Sequence, residues 1–198
     1  MSTAEDRIDG RTSRHRHRRP ELLGAVQEYI LDHGVADLSL RPMADELGVS
    51  HSTLLRHFGT KDALVVEVIE AIRSEFFARP RPTPDGAPLV EVLRATWRHL
   101  CRPAERRQFL LLFEVVAMEA RAPGRFDSLE AMVITDFLGP MVASMRQHGL
   151  SVREARDLAT GYLAMVRGLQ LDLAVSGDQR RVDAAMRRYI DTIVRTSE

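Results

Sequence analysis

The chain has 198 residues, 44 % of them hydrophobic and 28 % charged, the balance of a folded protein of one domain or two small ones rather than a disordered segment. Its 28 basic and 28 acidic residues cancel, so total charge offers no argument for a nucleic-acid partner, and a single Cys excludes a disulfide framework within the chain and a cysteine-rich zinc module. No apolar run reaches the roughly 18 residues of a membrane span, and the charged tract Arg11–Arg19 stands where a signal peptide would need its hydrophobic region, so a cytoplasmic protein without membrane contact is expected.

Taken in chain order, residues 1–19 hold almost no apolar side chains and read as a flexible arm. Its Arg11–Arg19 tract has five Arg, two His and no acid, a composition suited to a neighbouring minor groove. A helix is expected to start at Pro20, with Leu22, Leu23, Val26, Tyr29 and Ile30 at helical spacing and Gly34 as its stop. Ser39 is placed to cap a short second helix that ends at Gly48, Ser50 a third over Thr53–Phe58, and Thr60 a fourth running through Leu64 and Val68 to Phe76 and Phe77. The Pro-rich stretch "ARPRPTPDGAP" follows. Beyond it the pattern is helical throughout, over about 87–101, 104–121, 126–148, 152–175 and 179–196, with a capping box predicted at Ser151 and Glu154. Nothing reads as a strand. The expected fold is all-α with about nine helices, an N-terminal domain over 20–66 and a larger helical domain over 67–198.

The segment "LSLRPMADELGVSHSTLLRHFGTKDAL" carries the sharpest signal. Ala44 is small enough for a second helix to cross closely, Gly48 admits the left-handed turn, and Met43, Leu47, Val49, Leu54 and Phe58 supply apolar contacts between two short helices. This is the arithmetic of a helix-turn-helix. The third helix then presents His51, Ser52, Thr53 and Arg56, short or planar donors and acceptors suited to base edges and phosphates. Arg41 and Ser50 join the candidate DNA contacts on the same segment.

On these residues the sequence resembles the TetR-type repressors, whose module reads as a capped short helix, "A-x-x-x-G-V-S", "T-L-Y-x-H-F" and "x-x-K-x-x-L". The matching positions are Ala44, Gly48, Val49, Ser50, Thr53, Leu54, His57, Phe58, Lys61 and Leu64. The chain departs where the family often has Tyr: Leu55 can touch only a sugar or a thymine methyl. Backbone positioning is accordingly expected of His57, Thr60 and Lys61, the last being the only Lys in the chain. The resemblance implies a homodimeric transcriptional repressor on double-stranded DNA, a palindromic operator, and a regulatory domain that dimerises through its last two helices and answers to a small molecule.

In the C-terminal part, the small residues Gly161, Ala164 and Gly168, with Ala185 and Tyr189 in the last helix, are the candidate dimer contacts. Trp97, Phe109, Phe113, Phe137, Met141 and Tyr162 are candidates for the lining of a cavity that takes a hydrophobic or amphipathic effector. Three acids, Glu114, Asp136 and Asp172, interrupt apolar runs, and Glu114, flanked by apolar residues all round its turn, is the one expected to hold a polar group of the ligand. An enzyme is not expected: His99 and Cys101 lie two apart on a helix and point in different directions, no metal-ligand spacing or phosphate loop is present, and no cofactor or metal is implied. The alternative is a helical dimeric interaction protein without DNA-binding or catalytic activity.

Overall fold

The computed structural model describes the backbone of residues 4–79, 84, 86–126, 129 and 136–196, and the side chains of that set from Arg19 onward except those of residues 136 and 196. Among the described residues there are nine helices and no strands: α1 (Ala4–His33), α2 (Leu40–Glu46), α3 (His51–Phe58), α4 (Lys61–Ala78), α5 (Leu89–Leu100), α6 (Pro103–Arg121), α7 (Asp136–Gln147), α8 (Val152–Ser176) and α9 (Gln179–Thr196). None of them is long and apolar enough to cross a membrane. The side chains of the basic tract up to Arg18, and that of Asp136, lie outside the described residues.

The expected start of the first helix needs correction, because α1 carries Pro20 in its interior. Proline there removes one N–H from the helical ladder, yet the ring does not by itself set the boundary. The segment ahead of it gave no burial signal, since a run of Arg, Glu and polar residues has fair helix propensity but no apolar stripe.

The chain divides into two compact units, one formed by residues up to Ile72 together with Glu114–Asp127, the other by Arg73–Phe113 and Ser128–Glu198. Both α4 and α6 therefore carry residues of each unit, and the division falls inside these helices.

The first unit is closed by Val26 and Ile30 of α1, Met43 and Ala44 of α2, Leu54 and Phe58 of α3, and Leu64, Val65 and Val68 of α4, all buried. In the second unit Leu93, Trp97, Met145, Tyr162, Val166, Leu173, Val182, Met186 and Ile190 form one core. Polar ties fix α5 to its neighbours there: the Tyr162 hydroxyl donates to the Leu93 carbonyl at 2.6 Å, Gln170 Nε2 to the Leu100 carbonyl at 2.9 Å, and Trp97 Nε1 to Asp183 Oδ1 at 2.7 Å. The capping box at the start of α8 is present as predicted, Ser151 accepting from the Glu154 N–H while the Glu154 carboxylate accepts from the Ser151 N–H. Ser39 stands at the N-cap of α2 but its side chain makes no capping bond.

Ile190 has no solvent exposure in that core. Ile190→Ala should cost about 2 to 5 kcal/mol through lost burial and a residual cavity, whereas Tyr162→Phe, which loses one donor to an already bonded helical carbonyl, should cost about 1 kcal/mol. Denaturant midpoints at constant slope would check both.

Candidate nucleic-acid interface and effector cavity

The geometry of the first unit starts with a turn. Leu47 closes α2, Gly48 takes φ +64°, and the Val49 N–H returns to the Ala44 carbonyl at 3.0 Å. The chain can then start α3 at once, with Ser50 Oγ accepting from the Thr53 N–H at 3.1 Å. Ser50 Oγ also lies 2.8 Å from the hydroxyls of Ser52 and Thr53, so three hydroxyls crowd the start of α3. Leu54 and Phe58 face the core, leaving Ser52, Leu55 and Arg56 exposed and His51, Thr53 and His57 half-exposed on the opposite side. Leu55 is 41 % exposed, an aliphatic side chain held out beside polar ones.

After α3, Gly59 ends the helix and Thr60 Oγ1 caps α4 by accepting from the Ala63 N–H at 3.1 Å. Lys61 is less free than the sequence implied, because its Nζ donates to the Leu38 carbonyl at 3.2 Å and so ties α4 to the segment before α2. An ammonium has three donors, which leaves two for a phosphate. Arg19, the last residue of the basic tract, belongs to the folded unit: its guanidinium binds both carboxylate oxygens of Glu67, at 2.9 and 2.8 Å, and lies 5.5 Å from the centre of the Phe58 ring. Arg41 is exposed.

Glu114 is placed elsewhere than expected. Its Oε2 accepts from the Val35 N–H at 2.8 Å, and it packs against Gly34, where φ is +74° and any side chain would come within 2.8 Å of that carboxylate. The acid therefore completes the turn between α1 and α2. The apolar residues around it hid this, since the partner is a backbone N–H 79 residues away in sequence. The same part of the chain makes two further ties within the unit. Arg125 binds Asp62, in the first turn of α4, through two bonds of 3.1 and 3.0 Å, and Glu119 accepts from the N–H groups of Gly124 and Phe126, which hold its carboxyl below the usual range.

The second unit contains a cavity of about 330 Å³. Phe137, Met141 and Tyr162 are among the residues that line it, and Trp97, Phe109, Phe113 and Glu114 are not. Trp97 is buried, its indole N–H committed to Asp183, so it is core between α5 and α9. Phe113 is 40 % exposed, with Phe109 at 6.1 Å as its aromatic neighbour. The wall is instead completed by Phe76 and Phe77 from the end of α4, by Thr96 and His99 from α5, and by His148 after α7. Phe76 and Phe77 could have been found from their adjacency at the end of an apolar stripe, whereas His99 gave no sequence signal.

Of the candidate dimer contacts, Gly161 and Tyr189 meet within the chain, since a methyl group at Gly161 would come within 2.8 Å of the Tyr189 hydroxyl oxygen. That close approach is what α8 and α9 need to pack. Ala164, Gly168 and Ala185 are exposed, as is Val175, 85 % exposed further along α8. Asp172 reaches Arg181 of α9, and the pair holds its carboxyl low. No cluster of three or more His, Cys, Asp or Glu able to hold a metal occurs among the described residues.

Comparison with known proteins agrees with this geometry. Residues 22–68 match the family described as bacterial regulatory proteins, tetR family. The HTH-type transcriptional regulator UidR of Escherichia coli K12 is 25 % identical over 164 residues, covering 77 % of this chain and 83 % of its own. The fold is shared with a transcriptional regulator from Rhodococcus sp. Rha1 (TM-score 0.76, 22 % identity, 90 % of this chain and 96 % of that one). It is shared also with a TetR variant from Acinetobacter baumannii AYE solved in complex with minocycline (TM-score 0.53, 18 % identity, 89 % and 94 %). Residues 22–68 therefore carry the N-terminal module of the tetR family of bacterial regulatory proteins, and the helical fold of the whole chain is that of the solved transcriptional regulators it resembles.

Three substitutions test the local geometry. Ser50→Ala should cost about 0.5 to 2 kcal/mol by removing the cap of α3. Glu114→Ala should cost about 1 to 3 kcal/mol by stranding the buried Val35 N–H, and Glu114→Gln should restore most of it because the amide oxygen still accepts. Thermal unfolding of the three variants reads the difference; a Glu114→Ala protein as stable as wild type would show that the bond contributes nothing.

Proposed function

We propose that the protein is a homodimeric repressor that binds a palindromic operator through α3 of each subunit and leaves it when a small hydrophobic or amphipathic molecule fills the cavity of the second unit. The observation that carries this reading is the pairing, in one chain, of an open polar face on α3 with a cavity of about 330 Å³ whose wall includes Phe76 and Phe77. Those two residues end the helix that begins at Lys61 and Asp62, so α4 belongs both to the DNA-binding unit and to the cavity wall. A molecule that prefers the non-binding state about 100-fold supplies roughly 2.7 kcal/mol against the operator complex.

In this reading Ser52, Leu55 and Arg56 meet base edges, while Arg41, Ser50, His51, Thr53, His57, Thr60 and Lys61 position the backbone. The exposed small residues Ala164, Gly168 and Ala185 give a second copy room to approach α8 and α9 closely. Support for a ligand comes also from the A. baumannii TetR variant, which was solved with minocycline bound.

Two half-sites about 34 to 36 Å apart are expected. Arg56→Ala should weaken operator binding by about 1 to 3 kcal/mol and relax discrimination at one base position. Lys61→Ala should weaken all sequences alike and lower the salt slope by about one unit. Fluorescence anisotropy against salt, on duplexes from the region flanking the gene, measures both; equal loss on all sequences for Arg56→Ala would remove Arg56 from base recognition.

A further inference from the structure

The inference rests on reading the cavity of the second unit as the effector site and names the chemistry that fits it. We propose that the cavity selects an uncharged aromatic molecule carrying a hydroxyl group, and that His99 accepts the hydrogen bond from that hydroxyl.

Size and surface come first. A cavity of about 330 Å³ lies at the small end of the roughly 300 to 1,000 Å³ found for small-molecule sites, room for one or two rings. The rings of Phe76, Phe77 and Phe137 stand 5.2 to 5.3 Å apart, centre to centre, and His99 lies 5.7 Å from Phe76. Aromatic faces and edges at these separations favour another ring offset against them.

Charge narrows the class. Arg79 is on the wall, but its Nη1 lies 2.5 Å from Oε1 of Glu105, whose side chain is only 5 % exposed. The pair sums to zero and has no charge left to match an ionised ligand. The two ring nitrogens of His148 each lie 2.8 Å from a backbone carbonyl, of Ser144 and of Ala87, so both are already engaged within the protein. Burying a carboxylate or an ammonium beside these groups, with no free counter-charge among the described lining residues, is costly.

Hydrogen-bonding capacity then picks out one residue. Thr96 Oγ1 donates to the Val92 carbonyl and the Tyr162 hydroxyl to the Leu93 carbonyl. His99 is different. Its Nε2 is turned toward Glu105 Oε1 at 3.7 Å, an ion-pair rather than a hydrogen-bond distance, and its Nδ1 has no hydrogen-bond partner among the described residues. Burial holds its pKa below the ordinary 6.5 against the opposing pull of Glu105, with Arg102 and Arg79 pushing the same way as burial. A neutral imidazole has one donor and one acceptor. With the N–H facing the acid, Nδ1 is the acceptor, and the ligand must bring the donor.

The test uses the full-length protein and four probes of one shape: naphthalene, 2-naphthol, 2-naphthoate and 2-naphthylmethylammonium, titrated calorimetrically near neutral pH. 2-Naphthol should bind about tenfold more tightly than naphthalene, the worth of one buried hydrogen bond, and on the order of 100-fold more tightly than either ion. His99→Leu should remove the advantage of the naphthol and leave naphthalene unchanged, while His99→Gln, whose amide oxygen accepts, should keep most of it; thermal unfolding of both variants checks that they fold. Tighter binding of either ion, equal weakening of naphthol and naphthalene by His99→Leu, or no binding of any probe would overturn the proposal. Operator release is followed in parallel by anisotropy. If naphthol binds through His99 without releasing DNA, the ligand class stands and effector control fails; if an ion binds and releases DNA, the reverse holds.

Discussion

The outer face of α3, on which the proposed operator contacts lie, depends on the left-handed turn at Gly48 and the small side chain of Ala44 four residues before it. The turn lets α3 begin within a few residues of the end of α2, and Ala44, with almost no exposed surface, lets the two short helices cross closely enough to bury Leu54 and Phe58. A helix of eight residues has little stability of its own. Its stability comes from this inner face and from the Ser50 cap, which together hold the outer face of Ser52, Leu55 and Arg56 rigidly in solvent. A larger residue at position 44 would disturb the outer face by displacing the inner one, whereas a side chain at 48 would meet open space and act only through the strain of the left-handed backbone.

The remaining elements of that unit reinforce this corner. Arg19 spans Glu67 and the ring of Phe58, Lys61 holds the Leu38 carbonyl, Glu114 holds the Val35 N–H, and Arg125 covers Asp62. Covering Asp62 has an electrostatic effect as well, since an uncompensated acid in the first turn of α4 would oppose a phosphate arriving beside Thr60 and Lys61. Two of these ties come from α6 and the residues after it. The DNA-binding unit is thus completed by a segment more than forty residues beyond the family's N-terminal match, which ends at residue 68. In the other unit α5 is bound to α8 and α9 by three buried or half-buried hydrogen bonds, and α5 and α8 form the cavity wall together with the end of α4 and with α7.

What the sequence made legible were features set by local chemistry. Caps at Ser50, Thr60 and Ser151, the Gly48 turn and the 3.6-residue stripes depend on neighbours a few residues away, and these expectations agree with the helices of the structure. What stayed hidden depended on distant partners. Trp97 looked like a ligand contact because nothing in its own helix reveals that Asp183 takes its N–H. Glu114 looked like a pocket acid because the N–H it accepts lies between α1 and α2. His99 is seen in the sequence only as a residue two from Cys101 that points in a different direction from it, and only the fold places it on the cavity wall in front of Glu105. Pro20 misled for a different reason: a residue favoured at a helix start is also tolerated inside one when the bond it removes is single.

The central claim is that the outer face of α3 enters the major groove, and methylation protection on bound operator DNA tests it most directly. Guanine N7 lies in the major groove and adenine N3 in the minor groove. The account predicts protection of guanine N7 in two symmetry-related patches centred about one helical turn apart. Saturating protein that leaves every guanine N7 reactive, or protects adenine N3 alone, would contradict it.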